Sequence, residues 1–333
     1  MLASSKSCTE IGDLLPGYQL CAATEGKSTS AIAIVTNSIR YLSDFLSTNS
    51  LSTDVTRIGI NEMRQFILYL QHKRCFNDHP YSKEQQRGLS GHTINTYMRS
   101  IRSFWSWLIS EEIIDTSLFF KLKIPKPPKK IMPTFSQSQI ESLLSVISNS
   151  AKGYRDRVII LTLLDTGLRV NELINLKIDN VWLEEGIIKV LGKGNKERLL
   201  PIGKQIRKLL WRYINHHRPE PARPNIDNLF LTQDGRPLTK NRADTMMKCY
   251  GKKAGLAGVR CSPHTLRHTF AISYLRNGGD VFSLQRILGH SSLEMTRRYC
   301  ELADVDIRNA HAVASPVDNL KIGWKPVGSV FRK

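Results

Sequence analysis

The sequence predicts a two-domain, mainly α-helical protein carrying one small three-stranded antiparallel β-sheet. Three observations lead there. Apolar residues recur at helical spacing through most of the 333 residues. The period changes to two over one stretch only, Val181 to Ile202. Between two longer periodic halves stands KLKIPKPPKK (Lys121 to Lys130), whose prolines exclude a helix and favour extended, semi-rigid chain.

Residues 1–30 are rich in Ser, Thr and Gly with little periodicity, and read as a mostly flexible lead-in. Residues 31–120 read as a small all-helical domain. Val35, Ile39, Leu42 and Leu46 share one stripe, and Met63, Phe66, Ile67 and Leu70 share another. His72 to Ser90 reads as a polar loop. A long helix then starts near His92, with Ile94, Tyr97, Met98, Ile101, Trp105 and Leu108 on its apolar side. Its other side carries Arg99, Arg102, Ser103 and Ser106.

After the linker (121–135), the second domain spans 136–302. Ser136 and Gln139 make a capping box ahead of Ile140, Leu143, Leu144 and Ile147. A buried helix over Tyr154 to Asp165 stops at Gly167, and a short one, Val170 to Leu176, begins at once. Arg169 lies at that joint, with Glu172 three residues on, placed to pair with its guanidinium. Val181–Leu183, Ile187–Val190 and Arg198–Ile202 read as three strands, with Gly192-Lys193-Gly194-Asn195 as the turn between the last two. Helices return from Ile202 to about His216 and from Thr239 to about Ala254. Ser262 is a good N-cap and Pro263 a good first helical residue for a helix reaching about Asn277. Asp280 caps a short helix that ends at Gly289. Ser291 and Glu294 form a capping box for the helix that carries Tyr299. The tail, 303–333, is partly helical at most; with Trp324 and Phe331 among basic residues it is a candidate to dock on a neighbouring subunit.

Forty-eight Lys and Arg against 29 Asp and Glu give a formal charge of +19, which points to a polyanionic partner, and nucleic acid is the commonest. Candidate phosphate contacts are Arg99 and Arg102 on the long helix and Lys126, Lys129 and Lys130 in the linker; either set is alternatively only a solvated surface. The six cysteines (Cys8, Cys21, Cys75, Cys249, Cys261, Cys300) contain no CxxC pair, which argues against a zinc site or a disulfide framework and suits a reducing, cytoplasmic setting. No run approaches the roughly 20 apolar residues of a membrane span, and no signal-peptide pattern opens the chain.

The chemistry concentrates in Arg169, Lys193, His264, Arg267, His290 and Tyr299. Displacement at a DNA phosphodiester without a metal loads negative charge onto the non-bridging oxygens, which favours a fixed cation. Arginine suits this, because its planar fork gives paired donors and stays protonated. Histidine donates, or moves a proton, with a reference pKa of about 6.5. Tyr299 supplies a hydroxyl nucleophile once a base or a cationic setting favours its phenolate. Lys193, at a hairpin tip, suits protonation of the departing 5′-oxygen. The carboxylates Glu172, Asp179, Glu184 and Glu185 form no metal-like cluster, so no cofactor is expected. Each residue alone is a weak signal; their joint order carries the inference.

That order resembles the tyrosine recombinase (phage integrase) family, in TGLRVNEL (Thr166 to Leu173), GKGNKER (Gly192 to Arg198), HTLRHTFA (His264 to Ala271), LGH (Leu288 to His290) and Tyr299. The resemblance implies a helical core-site-binding domain followed by a catalytic integrase fold. It implies a pocket of Arg169, Lys193, His264, Arg267 and His290, with Glu172 beside the first arginine and Tyr299 as nucleophile. It further implies a 3′-phosphotyrosyl intermediate, needing neither ATP nor divalent metal, and double-stranded DNA with inverted-repeat core sites gripped by a tetramer on two duplexes. The two-domain plan looks like that of Xer recombinases or of a mobile-element integrase or transposase, serving integration, excision, transposition or dimer resolution. Type IB topoisomerase-like relaxation and a non-catalytic DNA-binding role are the alternatives.

Overall fold

The computed structural model describes residues 9–75, 85–124, 133–192, 196–303, 311 and 314–319. The chain forms two compact units, Met1–Lys130 and Ile131–Lys333.

The first unit is built on α1 (Leu15–Thr24), α2 (Thr29–Thr48), α3 (Ile60–His72) and α4 (Gly91–Ser110). Ser28 and Ser90 cap α2 and α4 by accepting the N–H groups of Ala31 and Thr93. The expected stripes face inward: Ile39, Leu42, Leu46, Met63, Phe66, Leu70, Met98, Ile101 and Trp105 are buried.

Two expectations for this unit are corrected. Residues 9–30 are not a flexible lead-in. Ile11, Leu15, Tyr18 and Ala22 are buried, and the Tyr18 ring meets Phe104 and Trp107 edge-on at 5.5 and 5.6 Å. Leu14, at the N-cap of α1, offers no side-chain cap, so this helix is held by tertiary burial rather than by a local signal. Nor is His72 to Ser90 all loop. Arg74–Cys75 (β1) pairs antiparallel with Gln85–Gly88 (β2), where main-chain pairing does not depend on an apolar alternation.

The second unit is centred on α6 (Ala151–Thr166) and α10 (Pro263–Arg276), both buried on nearly every side. A helix buried all round has no amphipathic stripe. Around them lie α5 (Gln137–Ser145), α7 (Val170–Ile174), α8 (Lys204–Arg212), continued by a π-turn over Tyr213–His217, and α9 (Lys240–Lys253). The expected capping box is present: Ser136 Oγ accepts the Gln139 N–H, and the Gln139 side chain accepts the Ser136 N–H.

The expected sheet forms as β3 (Val181–Trp182), β4 (Ile187–Leu191) and β5 (Glu197–Pro201), antiparallel in that order, with Val190 opposite Arg198. Finally, α11 (Val281–Leu288) and α12 (Leu293–Ala303) pack beside α10. Asp280 caps α11 as expected, accepting from Phe282 and Ser283, but α12 starts at Leu293, two residues past Ser291. Trp324 and Phe331 lie outside the described residues, as do Lys126, Lys129 and Lys130.

Candidate active site

Arg169 owes its position to a sharp break between two helices. Gly167 ends α6 in the left-handed region (φ 62°), and a Cβ there would stand 2.3 Å from Phe270, so the chain can turn only at a glycine. Arg169 then takes extended backbone at the N-cap of α7. Glu172 accepts its N–H at 2.8 Å and its Nη1 at 2.9 Å. The Arg169 side chain stays 37% exposed, and its Nη2 donates to the Gly289 carbonyl at 3.4 Å.

Glu172 itself is buried. Burial pushes its carboxyl upward, but hydrogen bonds from Arg198 and from the Arg169 N–H, together with the guanidinium charges, outweigh that, so the net displacement is downward.

Arg267, on α10, is buried and donates to the Gly167 carbonyl at 2.5 Å and the Leu288 carbonyl at 2.7 Å. Those carbonyls close α6 and α11, whose C-terminal ends favour a cation. Burial first, and then the Arg169 charge, hold its pKa down to about 10, so it remains charged at neutral pH.

Its Nη2 also points at His290 Nε2, 3.2 Å away. Arginine only donates, so that nitrogen accepts; the ring proton then sits on Nδ1, which faces Thr296 Oγ1 at 2.9 Å. Burial, then Arg267, Arg169 and Arg198, hold His290 down to about 4, which makes it neutral at pH 7.

Tyr299 is buried and shares one face of α12 with Thr296. Its ring lies parallel to His290 with centroids 6.2 Å apart, and its hydroxyl is 2.7 Å from His268 Nδ1. Burial raises its phenol, and the charges of Arg267, Arg169 and Arg298 offset that only in part. His268 is buried, held down to about 4 by burial first and then by the neighbouring histidine and arginine charges; its Nε2 has no hydrogen-bond partner. His264 stands exposed one turn before it, with the two rings in edge contact at 4.2 Å. Partial burial, followed by Arg267, Arg260 and Arg169, pulls His264 below its usual range.

The structure therefore gathers Arg169, Glu172, Arg267, His290 and Tyr299 around one pocket, with His264 at its rim. Lys193 lies outside the described residues, between β4 and β5 in the sequence. In the first unit Arg99 and Arg102 are exposed on α4, as expected, and the Arg102 guanidinium lies over the Phe119 ring at 5.5 Å.

Three participants were not singled out from the sequence: Arg198, His268 and Thr296. Arg198 and His268 stand inside the quoted motifs GKGNKER and HTLRHTFA, where a second charged or titratable residue was the available signal. Thr296 had no such signal. Among the described residues, no group of three or more His, Cys, Asp or Glu is placed to hold a metal ion. Nor is any helix among them long and apolar enough to cross a membrane.

The pattern of the phage integrase family matches residues 133–305, just over half of the chain. The chain belongs to the phage integrase family. Tyrosine recombinase XerD of Staphylococcus haemolyticus (strain JCSC1435) is 33% identical over 282 residues, covering 81% of this chain and 95% of that protein. Tyrosine recombinase XerD of Listeria innocua serovar 6a is 29% identical over 295 residues, covering 88% and 94%. Among solved structures, the Tn1549 transposon integrase in complex with transposon right end DNA superposes with a TM-score of 0.69 at 21% identity, covering 92% of this chain and 99% of that one. The XerH site-specific recombinase bound to palindromic difH substrate gives a TM-score of 0.67 at 22% identity, covering 92% and 85%. These structures share the integrase fold. The phage integrase family comprises tyrosine recombinases, and site-specific recombination by DNA cleavage and rejoining is the activity of this chain.

Proposed function

We propose that Tyr299 is the nucleophile of this recombinase and that Arg169 and Arg267 clamp the scissile phosphate. The observation that carries this reading is the gathering of a phenol, two guanidinium groups and two imidazoles at one pocket from four separated segments: the α6–α7 joint, α10, the turn after α11, and α12. Tyr299 Oη bonds to phosphorus as the bond from phosphorus to the 5′-oxygen breaks, leaving a 3′-phosphotyrosyl link and a free 5′-hydroxyl. The arginines face the charge that builds on the non-bridging oxygens. His264, exposed beside His268 and with its pKa held below the usual imidazole range, takes the phenol proton in this reading. Lys193 protonates the departing 5′-oxygen. A 5′-hydroxyl from the partner duplex then reverses the chemistry, so the phosphodiester is remade without a nucleotide cofactor.

The Tyr299 hydroxyl rests on His268 and its pKa lies above the usual phenol range, so positive charge from the arginines is what favours its phenolate. The units divide the work: the helical unit grips core DNA through Arg99, Arg102 and the lysines 126, 129 and 130, and the second unit cuts. Four protomers on two duplexes, each with inverted core sites, make the exchange reciprocal. Likeness to XerD proteins along most of their length supports a Xer-like role, such as dimer resolution, over a phage or transposon one.

The test is a trapped cleavage reaction. Nicked duplex fragments from beside the coding region are incubated in EDTA with wild type and Tyr299→Phe. A covalent protein–DNA adduct with wild type alone is expected, and both proteins should bind the DNA equally. An adduct that persists in Tyr299→Phe would assign the nucleophile elsewhere.

A further inference from the structure

Arg198 is drawn into the same pocket from outside the six-residue set. It lies on β5, its side chain only 13% exposed, and each of its three guanidinium nitrogens donates a hydrogen bond. Nη1 donates to Glu172 Oε1 at 2.9 Å, Nη2 to Glu172 Oε2 at 2.8 Å, and Nε to the Ile287 carbonyl at 3.0 Å. Two glycines make room for it. A Cβ on Gly289 would stand 3.1 Å from Arg198 Nη1, and one on Gly192 would stand 3.2 Å from the same atom. Each carboxylate oxygen of Glu172 consequently accepts one bond from Arg198 and one from Arg169.

We propose that Arg198 is a positioning residue for the phosphate clamp: it neutralises Glu172, so that Arg169 keeps its charge and its free donors for DNA. The role rests on Arg169 being part of that clamp.

Without Arg198, Glu172 would face Arg169 alone. A buried carboxylate and one guanidinium favour a bidentate pair, and that pair would turn the Arg169 fork inward and cancel its charge. With Arg198 present, three guanidinium groups (Arg169, Arg198, Arg267) stand against one carboxylate, and Arg169 donates to it through one terminal nitrogen only. Arg198 also stands opposite Val190 in the β4–β5 pairing, one pair from the end of the ladder that Lys193 follows in the sequence.

The experiment measures single-turnover adduct formation at saturating nicked DNA, together with DNA affinity, for wild type, Arg198→Gln, Arg198→Lys, Glu172→Gln and the Glu172→Gln/Arg198→Gln double variant. Arg198→Gln is expected to slow adduct formation about 10- to 100-fold while affinity changes less than about threefold. Arg198→Lys, which keeps the charge without the fork, should recover part of the rate. The double variant should be faster than Arg198→Gln, because removing the unpaired carboxylate frees Arg169 again.

A merely structural Arg198 would lower the folded fraction but leave the rate per folded molecule unchanged, and the two substitutions would add. Either that result or an Arg198→Gln protein at wild-type rate overturns the proposal. Wild type that forms no adduct, or an adduct that survives Tyr299→Phe, instead overturns the assignment of the pocket on which the role rests.

Discussion

His268 shows how burial sets chemistry at a single residue. It follows Arg267 directly, yet its ring is shut away and held down to about 4, mainly by desolvation. The unfolded chain would titrate near 6.5. Between those values the unfolded state binds more protons than the folded one, so the stability is fully present above about pH 6.5 and is lost as pH falls towards 4. At pH 5 the loss is on the order of 2 kcal/mol for this one group. Thermal unfolding at pH 7 and pH 5 should show a smaller fall for His268→Gln than for wild type; equal falls would remove His268 from the acid response. His290 adds to the same trend in the same direction. At this scale the motifs HTLRHTFA and LGH exposed Arg267 and His290 to inspection, because arginine and histidine at helix ends are chemically conspicuous. His268 and Arg198 were passed over because their work consists of contacts with residues 31 and 26 positions away.

At the scale of elements, helix ends decide where the site residues stand. Gly167 and Gly255 share a φ of 62°, but a Cβ at Gly167 would strike Phe270 and Leu288, whereas nothing lies within 4 Å of one at Gly255. Gly255→Ala should therefore cost only the left-handed penalty, about 1–2 kcal/mol. Gly167→Ala should cost more than about 2 kcal/mol and displace Arg169 as well. Chemical denaturation of both variants checks the stability difference, and adduct formation by Gly167→Ala checks the displacement; similar losses from the two would contradict the packing described. Local signals made most elements legible. Ser136 with Gln139, Ser262 with Pro263, and Asp280 mark their helices because cap hydrogen bonds are made within a few residues. Two elements escaped for the opposite reason. Helix α1 is stabilised by Phe104 and Trp107 from far along the chain, and the β1–β2 pairing is carried by main-chain groups that leave no side-chain pattern.

For the whole molecule the dominant quantity is the charge of +19. Binding to duplex DNA should weaken steeply with salt, the log–log slope gaining about −0.9 for each phosphate neutralised. Affinity measured from low to physiological salt checks this, and a flat response would contradict phosphate-led binding. Replacing Arg99 and Arg102 with glutamine should make the slope shallower by about one to two such increments without abolishing folding, since both side chains are exposed on α4.

The sequence by itself determined the two-unit plan, the helical and strand periods, the basic charge and which side chains are candidates for the chemistry, because all of these are properties of residue type and local spacing. Only the tertiary structure decided how those side chains meet. It set Glu172 between two arginines, chose the His290 tautomer through Arg267 and Thr296, and rested the Tyr299 hydroxyl on a neutral His268. Charge state, tautomer and hydrogen-bond direction depend on burial and on partners brought from distant segments, and these exist only once α6, α10, α11 and α12 have packed together.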